Sequence, residues 1–213
     1  MKINNKKLII FDLDGTLVNA YKAIANSLNY VRQKLGYDDI AFKIIKKNIG
    51  HGDKNFVAEF FFKKDLNKAL ELYRAHHKKS LKKYSKAKPY ARMLLYNLKR
   101  KHKLLAIASN RPAAYTAIIL KSLGMKKYFD YILCADEIKS LKPNPKILYK
   151  ILKKLKVKKE AAIYAGDMNV DMETAQRAKV DAFFITGGSS KIVDVKKYKD
   201  KKIIKSLKEI LKI

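Results

Sequence analysis

Asp12 and Asp14 stand two positions apart in the stretch Phe11-Asp12-Leu13-Asp14-Gly15-Thr16-Leu17, directly after the apolar run Leu8-Ile9-Ile10-Phe11. A run this short suits a buried strand and is too brief for a helix. In an extended segment, residues two apart project to the same side. Both carboxylates can therefore face one small volume at the carboxyl end of the strand, where open α/β sheets bind ligands. Gly15 lets the backbone turn sharply just after them. Carboxylates this close repel each other, and a bound Mg²⁺ relieves the repulsion. A metal-assisted site is the chemistry this spacing offers; a solvated Asp-Gly turn is the competing reading.

Later stretches repeat the pattern. Leu104-Leu105-Ala106-Ile107-Ala108 runs into Ser109-Asn110-Arg111, and Ala161 to Ala165 closes on Gly166-Asp167, with Asp171 four residues on. Lys142 follows the apolar run Tyr131 to Ala135 and precedes Pro143, which holds it extended. Taken singly, Ser109 reads as a helix-start residue and Asp171 as a complement to the positive end of its helix. Asp167 is harder to dismiss, because an acid ending an apolar strand needs a partner. In a parallel sheet all these strand ends share one edge. The set then comprises carboxylates for a metal, a hydroxyl and backbone N–H groups for phosphate oxygens, and one lysine for charge. That is an inventory for phosphoryl transfer.

The elements that must position these groups follow from periodicity. Between Asn19 and about Leu35, Tyr21, Ile24, Leu28, Val31 and Leu35 recur at helical spacing, and Gly36 suits the helix end. Asp38-Asp39 can start a second helix carrying Ile40, Ile44 and Ile45. Asp53 can cap a third through Phe56, Phe60 and Phe61, and a fourth runs from about Leu66 to Tyr84 with Leu70, Tyr73, His77 and Leu81 on one side. The aromatic stripe here reads as helix packing. Gly50-His51-Gly52 forms a tight loop between the second and third helices, where the glycines allow the backbone to approach a ligand. After Pro89, helices at 90–100, 112–123, 144–155 and 170–178 alternate with apolar strands at 104–108, 131–135, 161–165 and 182–185. A short strand at Ile203-Ile204 and a helix from Ser206 complete the tail. Strands alternating with helices imply a parallel sheet with right-handed crossovers. The fold class is α/β: a Rossmann-like parallel sheet core formed by 1–17 and 86–213, with an all-helical cap domain at 18–85.

Composition bounds the rest. The 213 residues and 48% hydrophobic content suffice for one large core with a modest insertion. The single cysteine, Cys134, permits no internal disulfide and reads as a small buried apolar residue. No apolar run approaches a membrane span, and the basic N-terminus leads into an apolar run too short for a signal peptide. A cytoplasmic protein is the expectation. The net charge of +30 suggests a polyanion partner, yet only six of the 49 basic residues are arginines, the residue preferred for forked phosphate and base contacts. The lysines spread from Lys2 to Lys212, and Ile, Asn and Tyr are abundant too, which points to composition bias and solvated faces.

The four motifs together resemble the haloacid dehalogenase superfamily, specifically its phosphatase branch with a helical cap inserted after the first motif. They are Asp12-Leu13-Asp14-Gly15-Thr16-Leu17, Ser109-Asn110, Lys142-Pro143, and Gly166-Asp167-Met168-Asn169-Val170-Asp171. Arg111 stands where lysine is common, and Lys179 where a glycine often ends the helix. The resemblance implies that Asp12 is the nucleophile and Asp14 the general acid and base. It implies that Mg²⁺ is held by the Asp12 carboxylate, the Asp14 backbone and Asp167, with support from Asp171. Thr16, Ser109, Asn110 and Lys142 would bind substrate, and a cap loop containing His51 would meet the leaving group. Phosphoglycolate phosphatases are the nearest resemblance; inorganic pyrophosphatase, sugar-phosphate phosphatase, nucleotidase and phosphomutase remain open. The implied partner is a small phosphorylated metabolite, without specific nucleic acid or membrane, for a monomer or homodimer. A basic nucleic-acid-binding protein on an inactive scaffold is the reading from a different class.

Overall fold

The computed structural model describes residues 5–50, 52–199 and 201–212. In chain order the elements open with β1 (Leu8–Phe11), β2 (Val18–Asn19), α1 (Tyr21–Lys34), α2 (Phe42–Lys47), α3 (Asp53–Ala58), α4 (Leu66–Tyr84) and β3 (Lys86–Ala87). There follow α5 (Ala91–Arg100), β4 (Leu104–Ser109), α6 (Ala113–Ser122), β5 (Tyr131–Cys134), α7 (Ala135–Ile138) and α8 (Lys146–Leu155). The chain closes with β6 (Ala162–Gly166), α9 (Asn169–Ala178), β7 (Asp181–Ile185), β8 (Lys201–Ile204) and α10 (Leu207–Ile210).

Six strands form one parallel sheet in the order β5-β4-β1-β6-β7-β8. β1 lies inside it, with Phe11 level with Ile107 on one side and Ala165 on the other. The inner strands β1, β4 and β6 are almost wholly apolar and buried because helices cover both faces of the sheet, whereas the edge strand β8 carries Lys201 and Lys202. Alternate residues divide between two cores: Ile9, Phe11, Leu105, Ile107 and Phe183 enter one layer, and Leu8, Ile10, Ala106, Tyr164 and Phe184 the other. This α/β Rossmann-like architecture carries a helical cap, α1 to α4, with its own core around Leu28, Val31, Ile45, Phe56 and Tyr73. Among the described residues no helix is long and apolar enough to cross a membrane.

Several local expectations are corrected. The second helix starts at Phe42, not at Asp38-Asp39. Side chains of α1 take the backbone groups that an earlier start would need: Asn29 bonds both the N–H and the carbonyl of Ile40, and Arg32 bonds the carbonyl of Asp38. The third helix ends at Ala58, short of Phe60 and Phe61, and Asp53 is its first residue after Gly52 rather than its cap. The ribbon of β2 with β3 and the short helix α7 were not foreseen. The fourth cap helix follows its expected span, with Leu70, Tyr73, His77 and Leu81 all buried. Cys134 is buried as expected, and burial pushes its thiol up to about 12.

Candidate active site

The chain leaves β1 still paired, with the Asp12 N–H on the carbonyl of Ala165 at 2.8 Å. Asp12 is buried at that edge, and its carboxylate meets the ammonium of Lys142 at 2.6 Å. Lys142 Nζ also lies 2.7 Å from Asp171 Oδ1, 3.0 Å from the Tyr164 hydroxyl and 3.3 Å from the Ala108 carbonyl. Burial disfavours its charge, but Asp12 and Asp171 prevail and hold the ammonium well above its usual range. The lysine is therefore a fixed positive charge at the end of β1.

Asp167 follows β6 directly and has no solvent exposure. The Thr16 hydroxyl donates to its Oδ1 at 3.0 Å, and the Ser189 N–H and Tyr21 hydroxyl donate to Oδ2 at 2.7 and 3.4 Å. Burial first, and Asp171 second, raise its carboxyl to about 7. The carboxylate is wedged between two glycines. A Cβ on Gly15, whose φ is +83°, would stand 2.3 Å from Asp167 Oδ2, and one on Gly188 1.9 Å from it. Any side chain at either position would displace the acid.

On the other flank Asp14 Oδ2 accepts a bond from Arg111 Nε at 2.6 Å, while Asp14 Oδ1 is buried with no partner among the described residues. Arg111 also reaches the cap, with Nη1 3.1 Å from His77 Nε2. Ser109 is buried, and its oxygen accepts the Arg111 N–H at 3.1 Å, which leaves the hydroxyl proton to donate elsewhere. The Asn110 amide holds Lys142 at both backbone groups, 2.8 Å to its N–H and 3.3 Å to its carbonyl, and bonds the cap carbonyl of Gly50 at 3.0 Å.

One cavity between the sheet edge and the cap brings together Asp12, Asp14, Ser109, Asn110 and Lys142. Asp167 and Asp171 lie fully buried behind it. Thr16 is fully buried with its hydroxyl bonded to Asp167, and it is not among the described residues that line the cavity. His51 lies outside the described residues, although Gly50 and Gly52 on either side of it line the cavity. Sequence reasoning missed Arg111, noted only as a departure, and His77, read only as packing. It also missed Tyr164 and Tyr21. Nothing in the sequence distinguishes His77 from its neighbours in the apolar stripe of α4.

Asp12, Asp167 and Asp171 present carboxylate oxygens all within 4.8 Å of one another, and this cluster could hold a metal ion. The donor set is all oxygen, which suits a hard cation such as Mg²⁺. Asp12 and Asp167 fit as direct ligands. Asp171 fits by donor type as well: like Asp167 it already accepts three hydrogen bonds, from Lys142 and Tyr164 at Oδ1 and from the Met168 N–H at Oδ2 at 3.0 Å.

Comparison with known proteins follows the same line. The family model described as "Haloacid dehalogenase-like hydrolase" matches residues 9–185. The chain is 32% identical to the phosphoglycolate phosphatase of Aquifex aeolicus over 172 residues, covering 81% of each chain. It is 28% identical to that of Colwellia psychrerythraea over 208 residues, covering 93% of this chain and 92% of the other. Among solved structures, a haloacid dehalogenase-like family hydrolase from Streptococcus pneumoniae superposes with a TM-score of 0.86 at 26% identity, over 98% of both chains. A predicted phosphoglycolate phosphatase from Haemophilus somnus gives 0.90 at 23% identity, over 98% of this chain and 97% of the other, and shows the shared fold. With its four motifs gathered at one sheet edge beneath a helical cap, the chain belongs to the haloacid dehalogenase-like hydrolases, in their phosphatase branch.

Proposed function

We propose that this chain hydrolyses a small phosphomonoester through a phosphoaspartate on Asp12, with Mg²⁺ as cofactor and phosphoglycolate as the leading substrate. The observation that carries the reading is the buried Asp12 carboxylate in the cavity, 2.6 Å from the Lys142 ammonium, with Asp14 two residues on. The substrate is suggested by the names of the Aquifex and Colwellia relatives. Residues 1–17 and 86–213 act as the catalytic core, and 18–85 as a lid that excludes water and samples the leaving group.

Asp12 attacks phosphorus in line with the ester oxygen, forming an acyl phosphate as the P–O bond to the leaving group breaks. Asp14, entering protonated, gives its proton to the departing oxygen. It then takes one from the water that attacks the acyl phosphate, releasing phosphate and restoring both carboxyl groups. The Lys142 ammonium and Ser109 hydroxyl are within the cavity to donate to phosphate oxygens. Mg²⁺, held by Asp12 and Asp167, would neutralise charge between the nucleophile and the phosphoryl group. Asp171 fixes Lys142 and so acts on the phosphate through it.

The test is a panel of small phosphomonoesters, phosphoglycolate included, assayed with Mg²⁺ and after exhaustive chelation. Hydrolysis that stops on chelation and returns with Mg²⁺ is expected, with radiolabelled phosphate trapped on Asp12 by acid quench. Full activity after chelation, or no hydrolysis of any member, refutes the reading.

A further inference from the structure

Arg111 joins two parts of the molecule that the proposed chemistry treats separately. Its Nε holds Asp14 Oδ2 on the core at 2.6 Å, and its Nη1 meets His77 Nε2 on the cap helix α4 at 3.1 Å. A guanidinium only donates hydrogen bonds. His77 Nε2 must therefore be the bare, accepting nitrogen, and the ring proton lies on Nδ1. Nδ1 faces the Ser27 oxygen at 3.0 Å, and the Ser27 hydroxyl donates to the Ala23 carbonyl at 2.9 Å. Every hydrogen bond in the series then runs one way, from Arg111 to His77, to Ser27 and into the backbone of α1. His77 is 1% exposed, so it has no bulk water to substitute for these partners.

The other end of the series decides what it does. Arg111 fixes one oxygen of Asp14, and the second, Oδ1, is buried beside the cavity with no partner among the described residues. A carboxyl group held by one oxygen presents the other in a set direction. A lysine at position 111 would supply one point charge on a flexible stem and could not fork to both neighbours in the same way.

We propose that His77 is a positioning residue of the cap, which through Arg111 orients Asp14 toward the leaving-group oxygen. This rests on the phosphatase reading above. The acid is thus correctly aimed only when α4 is seated on the core. General acid catalysis contributes roughly 10²–10⁴-fold, and it matters for an alkyl ester and little for an aryl ester whose oxygen leaves unaided.

The experiment compares kcat/KM, which reports formation of the phosphoenzyme, for an alkyl phosphate and p-nitrophenyl phosphate in wild type, His77→Leu and His77→Gln. His77→Leu should lose about tenfold to hundredfold on the alkyl ester and stay within about twofold on the aryl ester. His77→Gln, which keeps an accepting oxygen, should recover most of the loss. Equal losses on both substrates, no loss on either, or a glutamine variant no better than leucine overturns the proposal. Should His77→Leu not fold, Ser27→Ala takes its place with the same selective loss expected and the same overturning results. Nitrogen NMR of the wild-type histidines gives an independent reading: His77 should be the neutral Nδ1–H tautomer, and an Nε2–H form or an imidazolium overturns the series. Wild type that hydrolyses neither ester would instead defeat the phosphatase reading, with the tautomer measurement still standing.

Discussion

Replacing Asp167 by asparagine should make the metal-free protein more stable while depriving it of metal. Asp167 is fully buried, and burial and Asp171 raise its carboxyl from the ordinary 3.8 to about 7. Each pH unit is worth about 1.36 kcal/mol, so holding this group ionised above pH 7 costs the fold about 4 kcal/mol. The sign follows from proton binding. The folded state retains a proton that the unfolded chain has released, so stability is full below the unfolded value and falls as pH rises through the folded one. Asparagine removes the charge but turns an NH₂ toward one of the donors now on Asp167, the Thr16 hydroxyl or the Ser189 N–H, at a cost of roughly 1–3 kcal/mol. The net gain at pH 8 is about 2 kcal/mol, which for a chain this long corresponds to roughly 4–8 °C in Tm. At pH 5 the penalty on wild type is only about 2 kcal/mol, and the two proteins should melt together. Melting both by circular dichroism in EDTA at pH 5 and pH 8 checks this. Adding Mg²⁺ at pH 8 should then raise the wild type alone, by RT ln(1 + [Mg²⁺]/Kd). A variant less stable than wild type at pH 8 in EDTA, or a gap of the same size at both pH values, would refute the reasoning.

Other outcomes follow from the same geometry. Asp12→Asn should abolish turnover with Tm within a few degrees of wild type; wild-type rates in the purified variant would remove Asp12 as nucleophile. Thr16→Val should raise the Mg²⁺ concentration needed for half-maximal activity and leave KM for substrate unchanged, since its hydroxyl bonds Asp167; a change confined to KM would place Thr16 on the substrate. Gly188→Ala, whose Cβ would stand 1.9 Å from Asp167 Oδ2, should weaken Mg²⁺ binding measured by calorimetry at least tenfold, and unchanged affinity would mean that the acid has room to move. The +30 charge should give weak, sequence-independent nucleic-acid binding at low salt that vanishes near physiological ionic strength; tight binding persisting there would contradict the solvated-face reading.

The parallel sheet was legible because its signals are local. An apolar run that stops at Asp12, Ser109 or Asp167 carries both the strand and its end within a few residues, and the shared edge then follows from topology alone. The cap boundaries were less legible, because distant side chains set them. Asp38-Asp39 looks like a helix start until Asn29 and Arg32, a turn or more back along α1, take the backbone of residues 38–40. The acids of the site were readable as acids, but not the wiring between them. That Thr16 serves Asp167, or that Tyr164 steadies Lys142, depends on which way each side chain points once the sheet is built. His77 was least legible of all. Its spacing in α4 is that of any buried residue, and its use emerges only when Arg111 arrives from another element.

The small ribbon of β2 and β3 has a consequence for how such a chain can change over generations. Val18 pairs with Ala87 and Asn19 with Lys86, so the chain departs for its helical excursion and returns from it on adjacent strands, roughly 5 Å apart. The Lys88 N–H extends the fastening to the Leu17 carbonyl at 2.9 Å. Whatever sequence lies between these anchors, the sheet experiences the same two points in the same register. Insertions or deletions within the excursion that keep these anchors leave the strand that carries Asp12 where it is. Inheritance can therefore remodel much of the excursion freely, but not His77, whose bond to Arg111 ties α4 to Asp14 at the sheet edge.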